Sequence, residues 1–151
     1  MGMILPPDFK ELLRLLHSNH AEYLLIGGYA VNYYGYPRAT ADIDIWIAVS
    51  KENADRITSV LKAFGFLAAD PSLFIEPGKM VRLGVPPLRI EFVTSISGVH
   101  FDECYKSRFE TEIDGVPVKL IDLAHLKVNK LASGRLKDLN DLEQLKPADE
   151  K

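Results

Sequence analysis

The chain has 151 residues, room for one domain with a full core and too little for two. Hydrophobic residues make up 47% and charged residues 26%, the balance of an ordinary globular protein, and the net charge of -3 argues against a general polyanion binder. Cys104 is the only cysteine, which excludes an internal disulfide and a thiolate zinc cluster. The opening "MGMILPPDFKELL" lacks the basic start and long apolar core of a signal peptide, and no apolar run is long enough to span a bilayer. A cytoplasmic protein without a membrane partner is the expectation.

In chain order, "DFKELLRLLHSN" puts Phe9, Leu12, Leu13 and Leu16 on one helical face. "AEYLLIGG" reads as a short buried strand stopped by Gly27 and Gly28, and "YAVNYYG" as a brief helix ending at Gly35. "DIDIWIAV" is a strand. Ser50 caps the following helix, whose Ala54, Ile57, Val60, Leu61 and Phe64 share a face until Gly65. "KMVRLGV" and "LRIEFVTSI" are two more strands parted by Pro86 and Pro87. In "ETEIDGVPVKLI", Asp114 and Gly115 signal a hairpin turn, and Pro117 suits an edge position. The end is helical: "DLAHLKVNKLAS" stops at Gly134, and Leu136, Leu139, Leu142 and Leu145 share one side of the next helix. Strands and helices mix without strict alternation. The expected class is α+β, a mixed sheet with helices packed on one face, as a single domain over 1–151 with a core to about 121 and a helical segment over about 122–146.

Two aspartates stand out. Residues two apart in a strand point to the same side, so Asp42, Asp44 and Trp46 share one face and Ile43, Ile45 and Ile47 the other. The isoleucine face suits the core, which leaves the aspartate face open or facing something positive. Carboxylates about 7 Å apart repel unless a cation sits between them, and magnesium, with its oxygen ligands and retained waters, fits. Glu91 shares a face with Arg89 and joins the aspartates if its strand lies beside theirs. Three acids on neighbouring strands suit two-metal phosphoryl chemistry. The plainer alternatives are solvated aspartates and a surface pair of Glu91 with Arg89 or Arg82. The Gly27–Gly28 turn would let phosphate approach backbone N–H groups. No P-loop or Rossmann fingerprint is present.

Taken together, "LIGGYAVNYYGYPRATADIDIWI" resembles the nucleotidyltransferase superfamily with the DNA polymerase β-like core: a glycine pair at a strand-to-helix turn, a D-x-D strand and a later third acid. Its spelling is most similar to the small bacterial branch that includes AbiEii-type toxins and minimal nucleotidyltransferases. "NKLASGRLKDLNDLEQL" adds Lys130, Arg135, Asp138 and Asp141 to that likeness. The resemblance implies transfer of a nucleoside monophosphate from an NTP to a hydroxyl acceptor, with Mg2+ and release of pyrophosphate. Asp42, Asp44 and Glu91 would be catalytic and hold the metal. Gly27, Gly28, Arg38, Thr40 and Lys130 would contact the nucleotide. The acceptor stays open between tRNA, a protein and a small molecule, as does a partnership with an antitoxin or helper protein. Asp138 and Asp141 are as readily explained by pairing with Arg135 and Lys137. Glu91 stands where many relatives carry aspartate, so a non-catalytic nucleotide-binding or interaction module is the alternative.

Overall fold

A computed structural model of the chain describes residues 3–37, 40–84 and 88–149, with side chains as far as residue 145. The first helix, α1 (Pro7–Ser18), follows from a proline at its start and an apolar stripe, and Phe9, Leu12, Leu13 and Leu16 are all buried. Then come β1 (Tyr23–Ile26), α2 (Gly27–Tyr33), β2 (Asp42–Ile47) and α3 (Lys51–Phe64). The Ser50 side chain accepts the Asn53 N–H at the start of α3, and Gly65 ends it in the left-handed region at φ 116°. A 3-10 turn (Pro71–Phe74) leads to β3 (Met80–Leu83), β4 (Arg89–Val93), α4 (Phe101–Lys106), β5 (Phe109–Ile113) and β6 (Val116–Leu120). Helices α5 (Leu123–Ser133) and α6 (Leu136–Asp149) close the chain.

Among the described residues the strands form one mixed sheet in the order β3-β4-β2-β1-β6-β5. β2 lies antiparallel to β1 and parallel to β4, while β1 and β6 run parallel. The architecture is the expected α+β arrangement with a mixed sheet, but helices lie on both of its faces, since α4 covers the Trp46 side. Ile43, Ile45 and Ile47 are fully buried, and each such side chain contributes about 1.5–3 kcal/mol. Phe92, level with Ile45 in the neighbouring strand, meets Phe74 of the 3-10 turn edge to face, so that turn packs on the isoleucine side.

Three more expectations change. Trp46 does not lie on an open face: Phe101 of α4 packs against its ring at 5.2 Å and buries it, so only the Asp42–Asp44 end is uncovered. Pro117 sits in β6, an inner strand, not on an edge. It is tolerated because β1 registers with β6 only at Leu25↔Leu120, well past the proline. In α6 the leucine stripe is fully buried only at Leu145. Leu136 is 87% exposed, and the residues turned inward are Asp138, Asp141 and Leu145. The reason lies in α5, as the site shows.

Candidate active site

The sheet register builds the site. Ile26, Asp44, Glu91 and Arg82 stand abreast on β1, β2, β4 and β3, and Asp42 lies opposite Arg89 one step along. Alternation turns these side chains away from the isoleucine core. They floor a cavity of about 780 Å3, walled on one side by Gly27 and Gly28 and on another by Asn129, Lys130, Ser133, Arg135 and Lys137.

Gly27 is there for a steric reason. Its φ is 70°, and a Cβ added to it would come 2.1 Å from the Asp44 carboxylate oxygen. The carboxylate therefore rests directly on the strand-to-helix turn. Asp44 is crowded electrostatically as well. Burial, a hydrogen bond with Glu91 and the negative charges of Glu91 and Asp42 push its carboxyl up to about 7, with Lys137 pulling the other way.

The other two acids have partners. Arg89 grips Asp42 with two N–H donors, Nε to Oδ1 at 3.3 Å and Nη2 to Oδ2 at 3.2 Å. Arg82 donates from Nε to Glu91 Oε1 at 2.9 Å. The surface pair weighed for Glu91 thus exists with Arg82, while Arg89 goes to the first aspartate. Among the described residues no group of three or more His, Cys, Asp or Glu side chains is arranged to hold a metal ion. Thr40 lines the cavity, and its hydroxyl donates to the Asp42 carbonyl at 3.1 Å. Arg38 lies outside the described residues.

Lys130 is neither a surface lysine nor a free positive charge. It is buried, and its ammonium lies 3.0 Å from Asp138 Oδ1 and 3.1 Å from Asp141 Oδ2. Asp138 also accepts from the Ser133 hydroxyl and from Arg135 Nε at 2.7 Å. Although burial works to raise its pKa, the hydrogen bonds from Ser133, Lys130 and Arg135 outweigh it and hold Asp138 at about 2. Burying that ammonium requires carboxylates around it, so α6 presents its acids rather than its leucines to α5.

Lys137 was not singled out for a site role by its sequence, where it reads as a pairing partner for Asp138 and Asp141. It is exposed, lines the cavity and makes no salt bridge among the described residues. His125 pairs with Asp122 at 2.6 Å.

This site sits in a chain whose family can be stated. Residues 7–148 match the family described as "Nucleotidyltransferase of unknown function (DUF6036)", and the chain belongs to that family. Comparison with curated proteins finds no match. Among solved structures, the fold is similar to a candidate nucleotidyltransferase from Thermotoga maritima, with 16% identity and a TM-score of 0.63, covering 98% of this chain and 97% of that one. It is also similar to an antigenic nucleotidyltransferase-like protein from Paracoccidioides brasiliensis, at 20% identity and TM-score 0.55 over 95% and 78% of the two chains. A third is the antibiotic-resistance factor ANT(2'')-Ia, at 12% identity and TM-score 0.59 over 91% and 80%. At these identities the likeness shows the fold alone. Among the described residues no helix is long and apolar enough to cross a membrane.

Proposed function

We propose that this protein transfers a nucleoside monophosphate from an NTP to a hydroxyl acceptor in the cytoplasm, releasing pyrophosphate with the help of Mg2+. The observation that carries the reading is the meeting of Asp44 and Glu91 beside the Gly27 turn, in a cavity large enough for a nucleotide. A carboxyl raised to about 7 by burial and by its acidic neighbours marks a place short of positive charge. Hard oxygen donors of this kind fit Mg2+, which commonly takes one or two carboxylates and completes its shell with phosphate oxygens and water. Asp44 with Glu91 or Asp42 would hold it, once Arg82 or Arg89 lets its partner go. When bound, the ion supplies charge neutralisation for the triphosphate and lowers the pKa of a bound hydroxyl.

The remaining roles belong to the chain. N–H groups of Gly27, Gly28 and the first turn of α2 have no partner within that helix and offer donors to the triphosphate. Lys137 adds a positive charge facing Asp44, and Thr40 braces the backbone at Asp42. The acceptor oxygen bonds to the α-phosphorus while the bond to the bridging oxygen breaks. Pyrophosphate leaves with that electron pair, and the hydroxyl proton passes to Glu91. Lys130 acts through the α5–α6 wall it anchors rather than on phosphate directly.

Incubation with labelled NTPs, Mg2+ and cell extract is expected to label an acceptor, and Asp42→Ala and Asp44→Ala each to abolish the label. Label that persists in both variants overturns the assignment. The AbiEii-like spelling of the glycine block supports a role as the toxin half of a toxin–antitoxin pair, checked by growth arrest on expression and its relief by a neighbouring gene. A second reading, a nucleotide-binding module without turnover, draws on the arginines that occupy Asp42 and Glu91. It predicts NTP binding by calorimetry and no labelled product with any divalent metal.

A further inference from the structure

The two ends of the acid row differ. At one end Asp44 touches Gly27 and the start of α2. At the other, Glu91 meets Arg82, with Arg89 one step away on Asp42. Both arginines line the cavity; the Arg82 side chain is 51% exposed and that of Arg89 32%. If the donor's phosphates occupy the glycine end, the acceptor approaches across Glu91 and between these guanidiniums. We propose that the acceptor carries a phosphate group beside its reactive hydroxyl and that Arg82 and Arg89 hold it, an assignment that rests on the nucleotidyl-transfer reading above.

The argument is one of charge balance. In the protein as described, each guanidinium is satisfied by a carboxylate. Those carboxylates are also the oxygens a divalent cation needs, and one anion cannot serve both fully. Engaging an acid with a cation frees the guanidinium it held, and the partly exposed arginines then face the cavity ready to take an anion that enters it. A phosphate restores the balance, because its oxygens match the planar fork of arginine in geometry as well as charge. A neutral acceptor would leave both arginines uncompensated, and a cationic one would be repelled. β3 is an edge strand and the Arg82 side chain is half exposed, so a longer acceptor held there continues toward solvent. The glycine end, by contrast, is closed by α2 and carries no such fork among the described residues.

The test uses the full chain with Mn2+ and calorimetry against inorganic tripolyphosphate, a ribotetranucleotide with a free 3′-hydroxyl, ribose 5-phosphate and, as neutral control, uridine. At least one of the two phosphate-bearing acceptor mimics is expected to bind where uridine does not. Arg82→Ala and Arg89→Ala are each expected to weaken that binding about tenfold and to reduce its salt slope by about one. Tripolyphosphate should bind no more weakly in either variant, and Mn2+ alone should bind more tightly, since a competitor for the carboxylates is gone. A merely structural salt bridge would not separate these readouts. Binding of the tetranucleotide alone assigns a polynucleotide end; binding of ribose 5-phosphate as well assigns a small phosphate ester. The proposal is overturned if neither mimic binds, if uridine binds equally well, or if both arginine variants bind the mimics as the parent does. In those cases retained binding of Mn2+ and tripolyphosphate leaves nucleotidyl transfer standing, whereas its loss removes both. Circular dichroism melts check the fold, and if Arg89→Ala does not fold, Arg82→Ala at its half-exposed position carries the test alone.

Discussion

Asp44 and Asp138 are both aspartates withdrawn from solvent at one cavity, yet their surroundings push them in opposite directions. Asp44 has two acids for neighbours and is raised to about 7. Asp138 has an ammonium, a guanidinium and a hydroxyl and is held at about 2. The first is left wanting a positive charge; the second has all it needs. Burial alone therefore does not set the direction of a carboxyl's pKa; the charges around it decide whether that burial is compensated, and this separates the floor of the cavity from the wall that supports it.

The largest effect should come from spoiling the satisfied cluster. Lys130→Met leaves Asp138 and Asp141 buried without their ammonium and is expected to cost about 3–5 kcal/mol, read by denaturant unfolding. Gly27→Ala strikes the frustrated cluster, since it forces a Cβ onto the Asp44 carboxylate at a positive φ. A loss of about 1–3 kcal/mol is expected, together with loss of nucleotide binding in calorimetry. Asp44→Asn should do the reverse and stabilise. Because the folded pKa is raised above the ordinary 3.8, the folded protein holds the extra proton. Wild-type stability relative to this variant is full below about pH 4 and declines as pH rises through about 7, leaving the variant ahead at pH 8. Asp138 gives the opposite slope, its contribution being present above the ordinary carboxylate pKa and lost as pH falls toward about 2. Melting curves of Asp44→Asn and Asp138→Asn against wild type between pH 3 and pH 8 should diverge in opposite senses. The smallest change belongs to Arg82→Ala, whose half-exposed pair should contribute less than about 1 kcal/mol.

The frustrated cluster could be read in the sequence because it obeys a local rule. Alternation along "DIDIWI" and "LRIEFV" assigns each acid to a face, and a single pairing of two strands brings them together. The helices Phe9–Leu16 and Ala54–Leu61 were legible for the same reason, as one dominant apolar stripe each. The satisfied cluster obeys no such rule. In α6 two stripes compete, one of leucines and one of acids, and the choice depends on a lysine eight residues away in another helix. Likewise Trp46 carries no mark that Phe101, 55 positions later in the sequence, will cover it. That Arg89 takes Asp42 and leaves Glu91 to Arg82 depends on the stagger between strands, which composition does not encode.

The seam between β2 and β4 also has a history within each folding event. Ile26 and Asp44 pair across 18 positions of chain, whereas Asp44 and Glu91 must find each other across 47, in parallel and with α3 already in between. Closing the longer loop costs more entropy and is repaid later. The β1–β2 pair is thus expected to assemble before the acids meet. A refolding experiment followed by pulsed hydrogen exchange at the β1–β2 amides and by Mn2+ capture should see those amides protected before the metal is taken up. Between those two moments the chain would have its first strands paired and no chemistry at its disposal.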